Sequence, residues 1–367
     1  MEDASTFVKP VVMEGHGAYN RHSQVQASGS SPAVPLLERA AASVAIPPLP
    51  QVLVIADYGS SQGHNSLAPL QAAIKVLRRR VWRERAISVV HTDLPENDFT
   101  MLFRTLATSP ESYLKTDAAC FASAIGRSFY EQILPPQSVT LGWSSWAVQW
   151  LSRAPTRIPD QVQVAYSKDE AARAAFFQQA AEDWRTFLRM RERELCPGGR
   201  LVVLTMACDD EGNFGYRGVL DAMYGALIGL VDCGSLREEE LHHMAIPTVG
   251  RSRRDLLAPF DKDGRFGELR VEEVEVFTSE DHIWRDFEQY GDAQRFGAQW
   301  AAFSRASVFP TLAGGIDGGG SGPRAAEFFD RLEREIAARL AEKPEPMLIP
   351  LGRVLIAKEG LRLFRNT

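Results

Sequence analysis

The sequence predicts an α/β protein, a doubly wound parallel sheet with an α-helical cap over its carboxyl edge. Three observations carry that expectation. Val52 to Ile55 is a short apolar run that meets Asp57, a turn bearing Gly59 and Gly63, and a helix start at Asn65 and Ser66. A buried strand, a Gly-bearing turn and a helix in succession present backbone amides to a nucleotide-like ligand. The strand–turn–helix pattern then repeats as far as Met206, as parallel sheets require. Beyond about Cys208 the pattern becomes mainly helical, and helices over a sheet edge enclose substrates in α/β enzymes.

The elements follow in order. Residues 1–31 are polar and irregular, and Pro35 to Val44 reads as a short helix closed by Pro47-Pro48. A first strand over 52–57 leads into a helix that begins after Asn65 and continues through Lys75 to Arg85. Ile87 to His91 is a second strand ending at Asp93, and 117–125 and 138–143 are the third and fourth. An amphipathic helix lies between Ser167 and Leu195, stopped by Pro197-Gly198-Gly199. Arg200 to Met206 is the fifth strand. Residues 216–245 then read as helical, 269–278 as a strand, 281–306 and 324–342 as helices, and Leu351 to Lys358 as a closing strand. Ala313 to Pro323 reads as a flexible connector on composition.

Composition bounds the function. Apolar residues make up 45% of the 367 and charged residues 24%, enough for a full core. A net charge of -6 argues against a nucleic-acid surface, which needs clustered Lys and Arg in excess. The basic runs Lys75 to Arg85 and Arg251 to Arg254 read as solvated helix faces. No apolar stretch approaches the roughly 20 residues that span a bilayer, and no secretory signal is expected. Cys120, Cys196, Cys208 and Cys233 are scattered and read as reduced thiols of a cytoplasmic protein.

The first turn reads Asp57-x-Gly59-x-x-x-Gly63 and lacks the third small residue of a dinucleotide turn, so a nicotinamide site fits poorly. Asp93, at the end of the next strand, can accept both hydrogen bonds of a ribose diol or can cap the turn Leu94 to Asp98. Trp143, Trp146 and Trp150 are spaced three and four apart, which would place them on one face of a helix as core packing. Gly142 to Trp146 approaches a nucleophile elbow without its closing glycine. His242-His243 beside Glu238 to Glu240 reads as a solvated helix face, because adjacent histidines point apart; no metal is expected.

Six motifs in order carry a family resemblance. Met13 to Gln26 (MEGHGAYNRHSQVQ) is similar to an M-x-G-G…SY…NS…Q segment, and Ile55 to Asn65 to ADLGCSSGPN. Asp93 to Phe99 is similar to NDLPGNDF, Gly126 to Tyr130 to PGSFY, Ser144 to Ser152 to SSYSLxWLS, and Glu194 to Arg200 to ELVPGGR. The chain thereby resembles the SABATH family of S-adenosylmethionine-dependent methyltransferases, which act on small carboxylic acids and, in some members, on xanthine nitrogens. The match spans residues 13 to 205 and is looser beyond.

The resemblance implies a Rossmann-like class I methyltransferase sheet. Residues 1–50 would cover substrate and cofactor, 51–210 form the core, 211–345 a mainly helical cap with a returning core strand near 269–278, and 346–367 the closing strand. It implies S-adenosyl-L-methionine as cofactor, S-adenosyl-L-homocysteine as product, and a homodimer. Tyr19, Ser23, Asp57, Gly59, Asn65, Asp93, Leu94, Ser128, Phe129, Ser144 and Ser145 fall on cofactor positions, with Asp93 at the ribose and Ser128 and Phe129 beside the adenine. Gln26 and Trp150 fall on positions that donate neutral hydrogen bonds to a substrate carboxylate. Trp146, Gln149 and Leu220 fall on the substrate pocket. Glu14, Tyr58, Ser60, His64, Gln149 and Leu220 depart from the residues common in the family.

The expected reaction is in-line attack by a small aromatic or heteroaromatic carboxylate, a dicarboxylate such as furan dicarboxylate included, on the sulfonium methyl. Carboxylic acids are ionised at neutral pH, so no general base is expected. N-methylation of a xanthine-like heterocycle, an NAD-dependent oxidoreductase and a cofactor-binding regulatory module are the alternatives.

Overall fold

The computed structural model describes residues 29–320 and 322–359; Tyr19, Ser23 and Gln26 lie outside them. Eight strands form one sheet: β1 (Leu53–Tyr58), β2 (Ile87–Asp93), β3 (Cys120–Gly126), β4 (Val139–Ser145), β5 (Leu195–Met206), β6 (Arg265–Phe266), β7 (Leu269–Thr278) and β8 (Pro350–Lys358). Their order is β3-β2-β1-β4-β5-β8-β7-β6. The first five are parallel, as expected, whereas β8 runs antiparallel between β5 and β7. The sheet is therefore mixed: the parallel, doubly wound half expected from the strand–turn–helix repeat is present, and the closing strand β8 joins it antiparallel. β1 and β4 are buried along almost their whole length because helices cover both faces.

Helices α1 (Val34–Ser43), α2 (His64–Arg78), α3 (Phe99–Thr108), α4 (Tyr113–Thr116) and α5 (Glu170–Glu194) flank the parallel half. α3 and α4 were not anticipated from sequence. Each is fixed by a side-chain cap, Asp98 accepting from Met101 N and Ser112 from Leu114 N. α2 stops at Arg78, earlier than expected, because Arg78, Arg80 and Arg85 are drawn onto backbone carbonyls. Arg78 donates to Arg85 O at 2.6 Å, Arg80 to Ala41 O and Val44 O, and Arg85 to Pro47 O and Gln51 O. Those arginines staple loops rather than line a solvated helix face. In the second basic run Arg253 and Arg254 are exposed on a helix as expected, but Arg251 is buried and donates to Val148 O at 2.6 Å and Ala180 O at 2.9 Å.

The later half holds α6 (Arg217–Asp232), α7 (Glu238–His242), α8 (Arg253–Leu257), α9 (His282–Tyr290), α10 (Ala293–Ala313) and α11 (Pro323–Glu342). The single helix expected over 281–306 is two. Gly291 ends α9 in the left-handed region at φ 66, and Asp292 caps α10 by accepting from Arg295 N. The helix expected over 216–245 is likewise divided, at Gly234 with φ 72. Between Ala313 and Pro323 the chain makes turns anchored on buried Glu240, which accepts from Asp317 N and from both terminal nitrogens of Arg324. All four cysteines are free, and no helix of the described residues is long and apolar enough to cross a membrane.

Candidate active site

β1 and β4 are the adjacent strands from which the chain winds in opposite directions, and ligands of doubly wound sheets bind outside the carboxyl ends of such a pair. Three consecutive residues of β2 shape the turn that leaves β1. Thr92 O accepts from Gly59 N and Ser60 N at 2.9 and 3.0 Å, and Thr92 Oγ1 donates to Asp57 O. Asp93 accepts from Ser61 N at 2.7 Å and from Leu94 N at 2.8 Å. His91 meets the Asp57 carboxylate at 2.8 Å. Gly59 has φ +87, and a Cβ there would lie 2.4 Å from Ala147 Cβ. Only glycine fits a turn with that φ and that neighbour.

The turn opens onto a cleft of about 650 Å³ lined by Gly59, Ser61, Asp93, Leu94, Ser128, Phe129 and Ser145. Asp93 is the acid of this cleft that is bonded to the β1 turn, the lining also holding Glu96 and Glu131. Burial pushes its carboxyl up to about 6 against two backbone N–H donors, with the neighbouring charge of Asp57 adding to the rise. The two sequence readings of Asp93 are compatible, since it holds the turn and still borders the cleft.

Ser128 and Phe129 follow β3 on a loop gripped by α5. Buried Arg191 donates to Phe129 O and Glu131 O at 2.8 Å each and pairs with Glu194 at 3.0 Å. Glu194 in turn accepts from Ile133 N, Leu134 N and the Tyr58 hydroxyl. Sequence reasoning missed Arg191 and Glu194; their signal was an opposite-charge pair at i, i+3 near the helix end.

Several residues expected at the cofactor wall lie behind it. Asp57 is 1% exposed and faces His91, whose other ring nitrogen meets the Tyr113 hydroxyl at 2.9 Å. Ser144, the central serine of the elbow-like segment, is fully buried and donates to Tyr58 O at 2.9 Å, so it is not an exposed nucleophile. Asn65, in the first turn of α2, is not among the residues lining the cleft.

Trp143, Trp146 and Trp150 do not share a helix face. Trp143 is inside β4, Trp146 takes the left-handed region at φ 56 just after it, and Trp150 pairs with Thr248 in an isolated bridge. The strand end turns the latter two toward ligand space. Trp146 and Trp150 line the large cleft and also a second, smaller pocket of about 70 Å³. Gln149 and Leu220 line this pocket, as do Met206, Phe214 and Tyr216, Met223 of α6 and Phe303 and Val308 of α10. No lining residue carries a charge. Gln149 is held by donating to Trp146 O at 2.6 Å and accepting from Thr205 Oγ1 at 3.2 Å. Tyr216 also sits at a positive φ, 57, and such strain in non-glycine residues gathers at functional sites. His242 is exposed, while His243 meets Glu239 O and Arg157, so the pair is part of the surface helix α7.

The cleft suits a nucleoside cofactor. It offers an acid beside a turn of backbone amides, a glycine where a side chain would collide, and the buried hydroxyl of Ser61, which has no hydrogen-bond partner among the described residues. Sheet and cleft together are those of the class I methyltransferases. The solved structure of loganic acid methyltransferase with S-adenosylhomocysteine superposes with a TM-score of 0.75 at 21% identity, covering 96% of this chain and 99% of that one.

The family model for S-adenosylmethionine-dependent carboxyl methyltransferases matches residues 9–351. The chain is 31% identical over 257 residues to the methyltransferase FUS9 of Gibberella fujikuroi, covering 70% of this chain and 68% of that one. It is 29% identical to the salicylate carboxymethyltransferase of Clarkia breweri (71% and 74% covered) and 28% identical to anthranilate O-methyltransferase 2 of Zea mays (90% and 92% covered). The chain belongs to the SABATH family of S-adenosylmethionine-dependent carboxyl methyltransferases. It is a methyltransferase with S-adenosylmethionine as cofactor, which sets the oxidoreductase alternative aside.

Proposed function

We propose that the protein forms methyl esters of small aromatic or heteroaromatic carboxylic acids, with mono- and dicarboxylates of one ring as the acceptor class. The observation that carries this reading is the wall of Trp146 and Trp150 shared by the cofactor cleft and an apolar pocket without charged lining. Such a pocket accepts a flat apolar body, and indole rings give it stacking surface. The names of the salicylate and anthranilate relatives support the same class.

S-adenosylmethionine supplies an activated methyl group on a sulfonium. Asp93 accepts hydrogen bonds from the ribose; Leu94, Ser128 and Phe129 border the adenine; Gly59 and Ser145 line the floor. Asp57, Asn65 and Ser144 act from behind the wall by fixing the turn and β4. By the family resemblance Tyr19, Ser23 and Gln26, outside the described residues, would contribute to the same site. Gln26 and Trp150 donate to the acid carboxylate, while Trp146, Gln149 and Leu220 shape the space around its ring. Neutral donors replace water around the carboxylate without neutralising it, so the oxygen stays nucleophilic and needs no general base. Two reactants held in a near-attack pose gain on the order of 7–11 kcal/mol. The enzyme acts as a cytoplasmic homodimer in this reading, to which the four free cysteines are suited.

Incubation with methyl-labelled cofactor and a panel of benzoates, furan carboxylates and xanthines tests the proposal by mass spectrometry. Methyl esters of the acids are expected. Methylated xanthines with no esters would refute it, and an occupied cofactor site with no product from any acceptor would favour a regulatory module.

A further inference from the structure

Asp57, His91 and Tyr113 form a buried chain that the roles assigned above leave unexplained. Asp57 and His91 are register partners on β1 and β2, and Tyr113 stands on α4. His91 and Tyr113 are 0% exposed. The distances are 2.8 Å from His91 Nδ1 to Asp57 Oδ2 and 2.9 Å from His91 Nε2 to the Tyr113 hydroxyl.

The chemistry of the chain fixes its protons. Burial raises the Tyr113 phenol far above its ordinary range, with the charge of Asp57 adding to the rise, so the phenol keeps its hydrogen. A phenol that donates to Nε2 leaves the imidazole proton on Nδ1, where it is donated to Asp57. A buried carboxyl group without a partner would be costly, so the histidine satisfies the Asp57 side chain at the end of β1. The Asp57 carbonyl is itself held by Thr92 Oγ1 at 3.1 Å, and Gly59, two residues on, is bonded to Thr92 O.

We propose that His91 and Tyr113 are positioning residues for the cofactor cleft: they hold the Asp57 side chain in one orientation two residues before Gly59. The proposal rests on the reading of that cleft as the S-adenosylmethionine site. Because the chain acts through Asp57 and the turn rather than on the acceptor pocket, its loss weakens cofactor binding and spares turnover at saturating cofactor.

The test is calorimetric affinity for S-adenosylmethionine, with melting temperature and steady-state kinetics, for His91→Leu, His91→Asn and Tyr113→Phe. Leucine removes the donor at similar bulk, whereas asparagine places an amide N–H where Nδ1–H was. His91→Leu is expected to raise Kd about tenfold or more with kcat within twofold, His91→Asn to stay within about threefold of wild type, and Tyr113→Phe to fall between. A folded His91→Leu with wild-type affinity overturns the proposal, as does an asparagine variant as weak as the leucine one. If His91→Leu does not fold, Tyr113→Phe decides: a Kd raised threefold or more supports the proposal, and a smaller change overturns it. Wild-type protein that binds no cofactor refutes the parent reading, which is distinct from wild-type binding with unaffected variants.

Discussion

Arg191 donates to the carbonyl of Phe129 at 2.8 Å, across 62 residues of sequence. The guanidinium lies 4.1 Å from the centre of the Tyr58 ring and pairs with buried Glu194, so one arginine joins α5, the end of β1 and the cleft loop. Arg191→Met should therefore unpair Glu194 and free the loop. A loss of about 3–5 kcal/mol is expected in chemical denaturation, as for a broken buried ion pair. Cofactor affinity should fall with it, and a loss under about 1 kcal/mol would show that the loop is held by other contacts.

Gly59→Ala tests the turn itself. Its Cβ would lie 2.4 Å from Ala147 Cβ, and φ +87 is unfavourable for alanine. Cofactor binding should drop below detection by calorimetry in a protein that still folds. Adding Ala147→Gly removes the collision but not the backbone cost of about 1–2 kcal/mol, so recovery should be partial. Full recovery in the double variant would locate the whole effect in the collision.

Asp93 sets a pH dependence whose sign differs for stability and for binding. Its carboxyl titrates at about 6 in the folded protein against an ordinary 3.8. Between those values the folded state holds a proton that the unfolded chain has released, so this group stabilises the cofactor-free protein as pH falls from about 6 toward 4. In the proposed binding mode the same proton removes an acceptor for the ribose. The melting-temperature gain on adding cofactor should therefore shrink below pH 6, and a gain that is constant from pH 7.5 to 5 would separate Asp93 from the ribose.

Much of this architecture could be read from the chain. The parallel strands are short, mostly apolar segments between turns, and the Gly59 and Asp93 motifs are local, so short windows reveal both. What could not be read depends on contacts distant in sequence. The reversal of β8 is set by its insertion between β5 and β7, and apolar alternation carries no direction. Arg251 lies in a basic run yet is buried because Val148 O and Ala180 O wait for it. The tryptophan spacing imitates a helix, whereas a strand end and one positive φ at Trp146 produce the two-sided wall. Asp57 and Ser144 carry motif positions but face the interior, since their partners His91 and Tyr58 O are reached only through the sheet.

Glu240 latches the turns after α10 to α7 and α11. Burial alone would raise its carboxyl, but hydrogen bonds from Arg324, Asp317 N and Arg237 N hold it down to about 2 against an ordinary 4.5. That stability is present above pH 4.5 and is lost as pH falls toward 2, with a magnitude up to about 3 kcal/mol. Glu240→Gln should lower the melting temperature at pH 7 and flatten the acid limb of the stability curve. An acid limb identical to wild type would assign that limb to other carboxylates.

The acceptor pocket gives the sharpest separation of roles. Leu220 lies in its lining on α6, across from the Trp146 and Trp150 wall, and is buried at 6% exposure. Leu220→Trp places a larger ring in a space of about 70 Å³ without touching the cleft. KM for a two-ring acid should rise about tenfold or more, while a single-ring acid suffers less, because overpacking costs about 1–3 kcal/mol and grows with ligand bulk. Trp150→Phe and Gln26→Ala should instead lower kcat/KM for every acid if, as proposed, each removes a donor to the shared carboxylate. All three should leave cofactor affinity within about twofold of wild type by calorimetry. Equal losses of cofactor and acceptor binding in Trp150→Phe would mean that the indole acts as a wall only, and the carboxylate would then be held by the segment carrying Gln26.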